Sequence, residues 1–262
     1  MEIPELSDSV DILGVRVDCL DQTRLIDCAL GWAQESEPRT IYYVNAHCMN
    51  IAWSDHVYKK ILADASLVYA DGVSITWSSK ILGGTRLEKM TGADWMDALC
   101  SQAATRELKL YILAGKPGVA KAAANNLQKR YAALKIVGFA DGYFLEKDQD
   151  AVLEEIYQAK PNILFVGMGT PLQEKWIDSH RASLVAPVCW AVGGLMEYLS
   201  GDLRRAPGWM LSSGLEWFWL LMLQPRQKWR RYLLGNPLFI YRVLRQKLLW
   251  RIPGSEQKKG RN

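Results

Sequence analysis

The sequence predicts an α/β fold: a mostly parallel, Rossmann-like sheet with helices on both faces, followed by a helical, basic and aromatic C-terminal appendage. Two observations predict the sheet. Short, almost wholly apolar runs alternate with amphipathic stretches over the first 200 residues, the pattern of parallel strands buried between two layers of helices. The 262 residues are 49% hydrophobic, enough for one large domain or a domain with an appendage. A third observation predicts the appendage. Residues 201–262 carry 13 Lys and Arg against 3 Asp and Glu, whereas residues 1–200 carry 19 against 25. The net charge of +4 therefore conceals a local excess of base. The expected division is an α/β core over 1–200 and the appendage over 201–262.

DILGVRV (11–17), TIYYV (40–44), SLVYA (66–70), LKLYILA (108–114), LKIVGF (134–139), NILFVG (162–167) and PVCWAVG (187–193) read as strands. Between them, stretches near 48–63, 92–106, 117–132, 149–160 and 171–185 have helical spacing of apolar residues. In such sheets ligands gather beyond the carboxyl ends of the strands, so those loops hold the candidates.

Three strand ends stand out. SLVYA ends in Asp71-Gly72, either a plain Asp-Gly turn or a carboxylate placed for proton transfer. LKLYILA ends in Gly115-Lys116-Pro117-Gly118, either a helix start with proline at its first position or a phosphate cradle. It fits neither G-x-G-x-x-G nor the Walker pattern. NILFV runs into GMGTPLQEKW (167–176). Glycine there permits a sharp turn and close approach of a ligand, and the helix N-terminus beyond offers N–H groups to a phosphate or carboxylate. A tight strand–helix turn with a polar helix face is the plain alternative.

Five scattered cysteines without a C-x-x-C pair argue against a disulfide framework or zinc site and fit a reducing cytosol. Three dispersed histidines offer no obvious metal cluster, and the polar N-terminal stretch MEIPELSDSV is not read as a signal peptide. In the tail, five of the eleven tryptophans lie between 209 and 250, interleaved with arginines. Its longest apolar run, FWLLML (218–223), is too short to span a bilayer. Such helices suit a membrane interface, docking on the core with arginine stems over apolar surface, or a nucleic-acid surface.

Read together, VNAHCMNIA (44–52), ADGVSI (70–75), MTGADWM (90–96), LAGKPGVA (113–120), GFADGYF (138–144), VGMGTPLQEKW (166–176), AVGG (191–194) and RRAPGWM…GLEW…QPRQKWRRYL resemble the WecG/TagA/CpsF family of bacterial glycosyltransferases. The resemblance runs from about residue 11 to 240. It implies an inverting hexosyltransferase that needs neither metal ion nor cofactor. The enzyme would move N-acetylmannosamine, its uronic acid, glucuronic acid or glucose from a UDP-sugar to a saccharide on undecaprenyl or a similar polyprenyl diphosphate. It further implies surface-polysaccharide synthesis, such as exopolysaccharide, by a cytoplasmic protein held peripherally on the anionic inner face of the bacterial plasma membrane. Nucleic acid is not among the expected partners. A second subunit, as well as lipid, could bury the tail's aromatics, so a homo-oligomer stays open.

Asp71 falls on the family's proposed general base. The chemistry asks for one base to take the acceptor's proton, and for cations or aimed N–H groups to meet charge on the departing UDP. Expected substrate and nucleotide contacts come from Asn45 and His47 in the first motif, and from Lys89, Thr91 and Gly92 in the third. The glycine-rich turns add Gly115, Lys116 and Gly118, then Asp141, Gly142 and Tyr143. The longest motif adds Gly167, Gly169, Gln173, Glu174 and Lys175, and AVGG adds Gly193 and Gly194. Arg205, Arg226, Arg230 and Arg231 are the expected diphosphate and membrane contacts, in an appendage that closes over the site.

The chain departs from the family pattern in places. Asn45 and His47 stand where a threonine and an asparagine are frequent, and Lys89 stands for an arginine, keeping charge but losing the two-pronged geometry. Leu220 and Gln227 occupy positions where the family has arginine, which leaves the diphosphates to Arg226, Arg230 and Arg231. His47 reads as a second acid/base, an acceptor contact or a structural residue. Glu197 replaces an aspartate and is a candidate sugar contact.

Two other classes compete. A dinucleotide oxidoreductase would need G-x-G-x-x-G after a strand with an acidic residue about twenty positions on, and none is present. A non-catalytic membrane or nucleic-acid module would leave the glycine-rich strand ends unexplained.

Overall fold

The computed structural model of the chain describes residues 6, 8–85 and 87–250. Strands β1 (Ser9–Ile12) and β2 (Val15–Asp18) form an antiparallel hairpin where the sequence suggested one strand over 11–17. The two-residue turn explains the difference: Leu13 and Gly14 both have positive φ, 56° and 77°, which reverses the chain.

Helix α1 (Gln22–Trp32), capped by Asp21, leads to β3 (Arg39–Val44). The stretch expected as one helix near 48–63 is two, α2 (Ala46–Ser54) and α3 (His56–Ala63). Asp55 breaks it, with extended backbone at φ −106° and a side chain that caps α3 by accepting from Tyr58 N. Next come β4 (Leu67–Ala70), α4 (Val73–Leu82), α5 (Gly92–Thr105) and β5 (Lys109–Ala114). Helix α6 (Val119–Arg130) starts after Gly118, whose φ of 88° makes it the cap, so Pro117 lies outside the helix and not at its first position. The core ends with β6 (Lys135–Ala140), α7 (Gln149–Ala159), β7 (Ile163–Gly167), α8 (Leu172–His180), β8 (Val188–Ala191) and α9 (Leu195–Ser200).

The six strands β3–β8 form one parallel sheet in the order β4-β3-β8-β7-β5-β6. Successive side chains alternate between two cores. Tyr42, Val44, Val68 and Ala70 pack with α2, α3, α4, α7 and α8, whereas Ile41, Leu67, Tyr69 and Trp190 pack with α1, α5, α6 and α9. Trp190 stacks on Trp95 of α5 with ring centroids 4.1 Å apart. The chain leaves β3 toward α2 on one face of the sheet and leaves its neighbour β8 toward α9 on the other, so a crevice opens beyond their carboxyl ends.

The appendage is helical: α10 (Gly208–Ser212), α11 (Glu216–Leu223), α12 (Pro225–Trp229), a π-helical turn over Arg230–Leu234, and α13 (Gly235–Trp250). Helix α13 returns to the core and packs on α2 and α4. It buries Phe239 and Val243 in the same core as the sheet. Asn50 of α2 donates to Gly235 O at 2.7 Å and accepts from Arg242 Nη1 at 2.7 Å. The Arg242 guanidinium lies 4.9 Å over the Trp53 ring, and Gln246 Oε1 accepts from Leu13 N at 2.9 Å. The ends of the expected division, residues 1–5 and 251–262, lie outside the described residues.

Candidate active site

Asn45 follows β3 and caps α2, its Oδ1 accepting from His47 N at 3.0 Å and Cys48 N at 3.2 Å. With that oxygen engaged, Nδ2 donates to Asp71 Oδ2 at 3.1 Å. Asp71 follows β4, and its own N–H bonds Val44 O at 2.9 Å, tying the two strand ends together. Gly72 has φ 89°, a conformation that lets the chain swing directly from Asp71 into α4. Burial pushes the Asp71 carboxyl above its ordinary range, against the pull of the Asn45 bond and of Arg231 and Lys89. A carboxylate with raised proton affinity is a stronger base.

Asp71 opens into a chamber of about 250 Å³. Asn45, His47, Lys89, Thr91, Gly92 and Gly194 line it with Asp71, and the N-terminal turns of α2, α4 and α5 reach its wall. Their positive ends favour an anion there. The appendage supplies the opposite wall through Glu216, Trp217, Leu220, Lys228, Arg231 and Tyr232. A second chamber, also about 250 Å³, adjoins it and is lined by Tyr143, Gly169, Thr170, Gly193 and Glu197. Tyr43, Asn45, His47, Gly194, Lys228 and Arg231 border both.

Two cations from one appendage segment thus stand between the chambers. Arg231 Nε is buried without a hydrogen-bond partner. Burial and the Arg231 charge push the Lys228 ammonium down, while Glu197 draws it back. His47 responds to the same surroundings: burial first, then Arg231 and Lys228, push its imidazole down to about 4, so it is neutral near neutral pH.

The remaining predicted residues lie elsewhere. Gln173 and Glu174, expected as ligand contacts, have no exposed surface and form the support beneath the second chamber. Gln173 Oε1 accepts from Gly193 N at 3.0 Å, and its Nε2 donates to Glu174 Oε1 at 2.9 Å. Lys175 pairs with Asp55 at 2.6 Å, joining α8 to α3, and lines neither chamber. Gly115, Gly142 and Gly167 serve close backbone packing. Gly115 N bonds Gly167 O at 3.0 Å, Gly142 N bonds Gly115 O at 2.9 Å, and a Cβ on Gly167 would stand 2.7 Å from Gly193 O. Asp141 accepts from Gly118 N at 3.0 Å and so stitches two loops together. Lys116 is exposed, its charge reaching Glu197. Arg205 pairs with Asp94, which completes the capping box on Thr91. Arg226 and Arg230 are exposed and line neither chamber, Arg230 lying over the Trp229 ring at 5.3 Å.

Sequence reasoning missed Lys228 and Glu216. The spacing of Lys228 and Arg231, one helical turn apart in QPRQKWRRYL, was the available signal for the first. Glu216 is the acid of GLEW, and burial and the charge of Asp71 push its carboxyl up. Sequence reasoning also took the chain to lack the D-x-D carboxylate pair of metal-dependent sugar transferases; Asp148-Gln149-Asp150 has that spacing, but it stands at the start of α7 and lines neither chamber. Among the described residues, no group of three or more His, Cys, Asp and Glu is placed to hold a metal ion.

A sequence profile of the Glycosyl transferase WecG/TagA/CpsF family matches residues 10–252. A relative from Bacillus subtilis (strain 168), named N-acetylglucosaminyldiphosphoundecaprenol N-acetyl-beta-D-mannosaminyltransferase, is 30% identical over 203 residues, 78% of each chain. A relative of the same name from Staphylococcus aureus (strain NCTC 8325 / PS 47) is 28% identical over 254 residues, covering 94% of this chain and 97% of its own.

Proposed function

The chain belongs to the WecG/TagA/CpsF family of glycosyltransferases, and from that premise we propose an inverting, metal-independent transfer from a UDP-sugar to a polyprenyl-diphosphate-linked saccharide. The relatives' name makes N-acetylmannosamine the first donor sugar to test and N-acetylglucosaminyl-diphosphoundecaprenol the first acceptor. The observation that carries the reading is Asp71, held by Asn45 at the floor of a chamber whose far wall is cationic.

In this reading the acceptor hydroxyl lies against Asp71. Its oxygen attacks the anomeric carbon, Asp71 takes the proton, and the bond from that carbon to the diphosphate oxygen breaks. The electron pair leaves with UDP. Lys228, Arg231 and helix N-termini meet the charge that develops on the β-phosphate, the task other glycosyltransferases give a metal ion. The second chamber holds the nucleotide, and the first holds the reacting sugars. The shared position of Lys228 and Arg231 supports this division, because the donor's diphosphate must join nucleotide to sugar.

The lipid part of the acceptor calls for a membrane surface. No helix among the described residues is long and apolar enough to cross a membrane. The appendage instead exposes Trp209 at 64%, Leu234 at 59% and Tyr241 at 62%, among exposed arginines. That surface suits peripheral contact with an anionic inner leaflet.

The test is a mass-spectrometric transfer assay in EDTA, offering a panel of UDP-sugars and a short-chain polyprenyl diphosphate carrying N-acetylglucosamine. A gain of one sugar from one donor supports the reading. Transfer that EDTA abolishes and a divalent cation restores overturns metal independence. Absence of both transfer and UDP binding overturns the donor class.

A further inference from the structure

Glu174 is a buried carboxyl group beside the second chamber to which the proposed reaction gives no task. It has no exposed surface. Its Oε1 accepts from Thr170 Oγ1 at 2.9 Å and from Gln173 Nε2 at 2.9 Å, while Oε2 is buried without a partner. Both donors belong to the donor chamber: Thr170 lines it, and Gln173 holds Gly193 of its wall through the 3.0 Å bond to the backbone N–H. Since the Thr170 hydroxyl gives its proton to Glu174, the 3.3 Å contact to Tyr43 runs from the tyrosine O–H to Thr170. The Tyr43 hydroxyl, which borders both chambers, thereby has its proton held on Thr170 while its oxygen accepts from Gln173 Nε2 at 3.5 Å.

We propose that Glu174 is a positioning residue for the donor nucleotide: ionised, it draws Thr170 and Gln173 into one fixed arrangement that sets Tyr43 and Gly193, and protonated, it relaxes that hold. Two bonds to a single charged oxygen are strong, and they weaken when the charge is removed. The titratable groups facing Glu174 are Tyr42 and Tyr43 of β3, Cys48 of α2 and Tyr58 of α3, and burial raises all four. None is a cation, so the ionised form is favoured only by hydrogen bonds, those from Gln173 and Thr170 and one from the backbone, against the larger effect of burial. Burial carries Glu174 up to about 7, within the range a cell can reach. Tight donor binding is therefore coupled to pH by a group that never touches the donor. This inference rests on the reading of the second chamber as the nucleotide site.

The experiment uses the full chain as wild type, Glu174→Gln and Thr170→Val, with UDP as the probe. Infrared spectra of wild type should show the carbonyl band of a protonated carboxylic acid vanishing as pH rises through about 7, a band absent from Glu174→Gln and retained in Thr170→Val. UDP should bind wild type about fivefold to tenfold more tightly than Glu174→Gln at about pH 8.5, and equally at about pH 5.5. The ligand's own titration is common to both proteins and cancels in their ratio. Thr170→Val should fall between wild type and Glu174→Gln at the higher pH, because it cuts the link through Thr170 and leaves both the carboxyl and the link through Gln173. An affinity ratio that stays constant with pH, with the band still titrating, overturns the coupling alone. No UDP binding at any pH overturns both the coupling and the donor reading, and a band that does not titrate overturns the switch itself.

Discussion

The amide of Asn45 is divided between two tasks: its oxygen caps helix α2, and its nitrogen donates to the Asp71 carboxylate at 3.1 Å. The cap fixes which end of the amide faces Asp71, so the donor cannot flip without costing the helix its cap. Asn45→Ser separates the tasks, since serine caps about as well but is too short to reach the carboxylate. Losing a hydrogen bond to the charged form raises the Asp71 carboxyl further. The acid limb of the kcat profile should therefore move to higher pH with little change in thermal midpoint. Asn45→Ala should add a stability loss of about 1 kcal/mol.

Asp71→Asn removes the proposed base and keeps the shape. Turnover should fall by about 10²–10⁴-fold. UDP binding, measured by calorimetry, should stay within a factor of a few. Near-normal turnover would take the proton acceptor's role away from Asp71.

Lys228→Met and Arg231→Met should each raise the donor KM by about 10–100-fold, as expected for a lost hydrogen bond to a charged group. Arg231→Lys should recover only part, because lysine lacks the planar fork. Arg226→Met and Arg230→Met are the controls: both side chains are exposed outside the chambers, and their donor KM should match wild type.

Stability should carry the Glu174 titration with a definite sign. The carboxyl is raised from 4.5 to about 7 in the fold. Below 4.5 both folded and unfolded chains hold the proton; above it the unfolded chain ionises first. Folding stability from this group is thus complete at low pH and declines as pH rises to about 7, by about 3 kcal/mol. Urea unfolding at about pH 5 and about pH 8 reads the loss, and Glu174→Gln should abolish that part of it.

Replacing exposed Trp209, Leu233 and Leu234 together by serine should release the protein from anionic vesicles in a flotation assay. Exposed at 64%, 53% and 59%, these residues contribute little to the core, so the unfolding midpoint should barely change. Truncation near residue 201 is a poorer test, because it would also uncover the core that Phe239 and Val243 close.

Much of this was legible in the sequence. The apolar runs gave every strand of the main sheet within two residues at the start; those buried on both faces have no polar alternation to blur them, and the more exposed edge strand β6 still reads as an apolar run. Asp71 could be picked out by the rule that ligands gather at carboxyl ends, and Asn45 by the family resemblance of its motif. The hairpin was hidden because Leu13, unlike an Asn-Gly pair, gives no signal of positive φ. Gln173 and Glu174 misled for a related reason: polar residues in the first turn of a helix resemble ligand contacts, and only the packing of Tyr43, Thr170 and Gly193 above them shows that they face inward. Lys228 was passed over because the family resemblance drew attention to the neighbouring arginines, and only the packed structure shows Lys228 and Arg231 bordering the chambers together.

Helix α2 is a strut with one joint at its start and another at its middle. Its first residue follows the Asn45 cap that grips Asp71, and one turn later Asn50 grips α13 through Gly235 and Arg242. The helix is nine residues long and rigid over that span, so a tilt of α13 cannot be absorbed between the two joints. On the proposed reading, a bilayer that presses on the appendage would load the Asp71 carboxyl through this strut, so that contact with the lipid surface and the setting of the proposed base become one mechanical event.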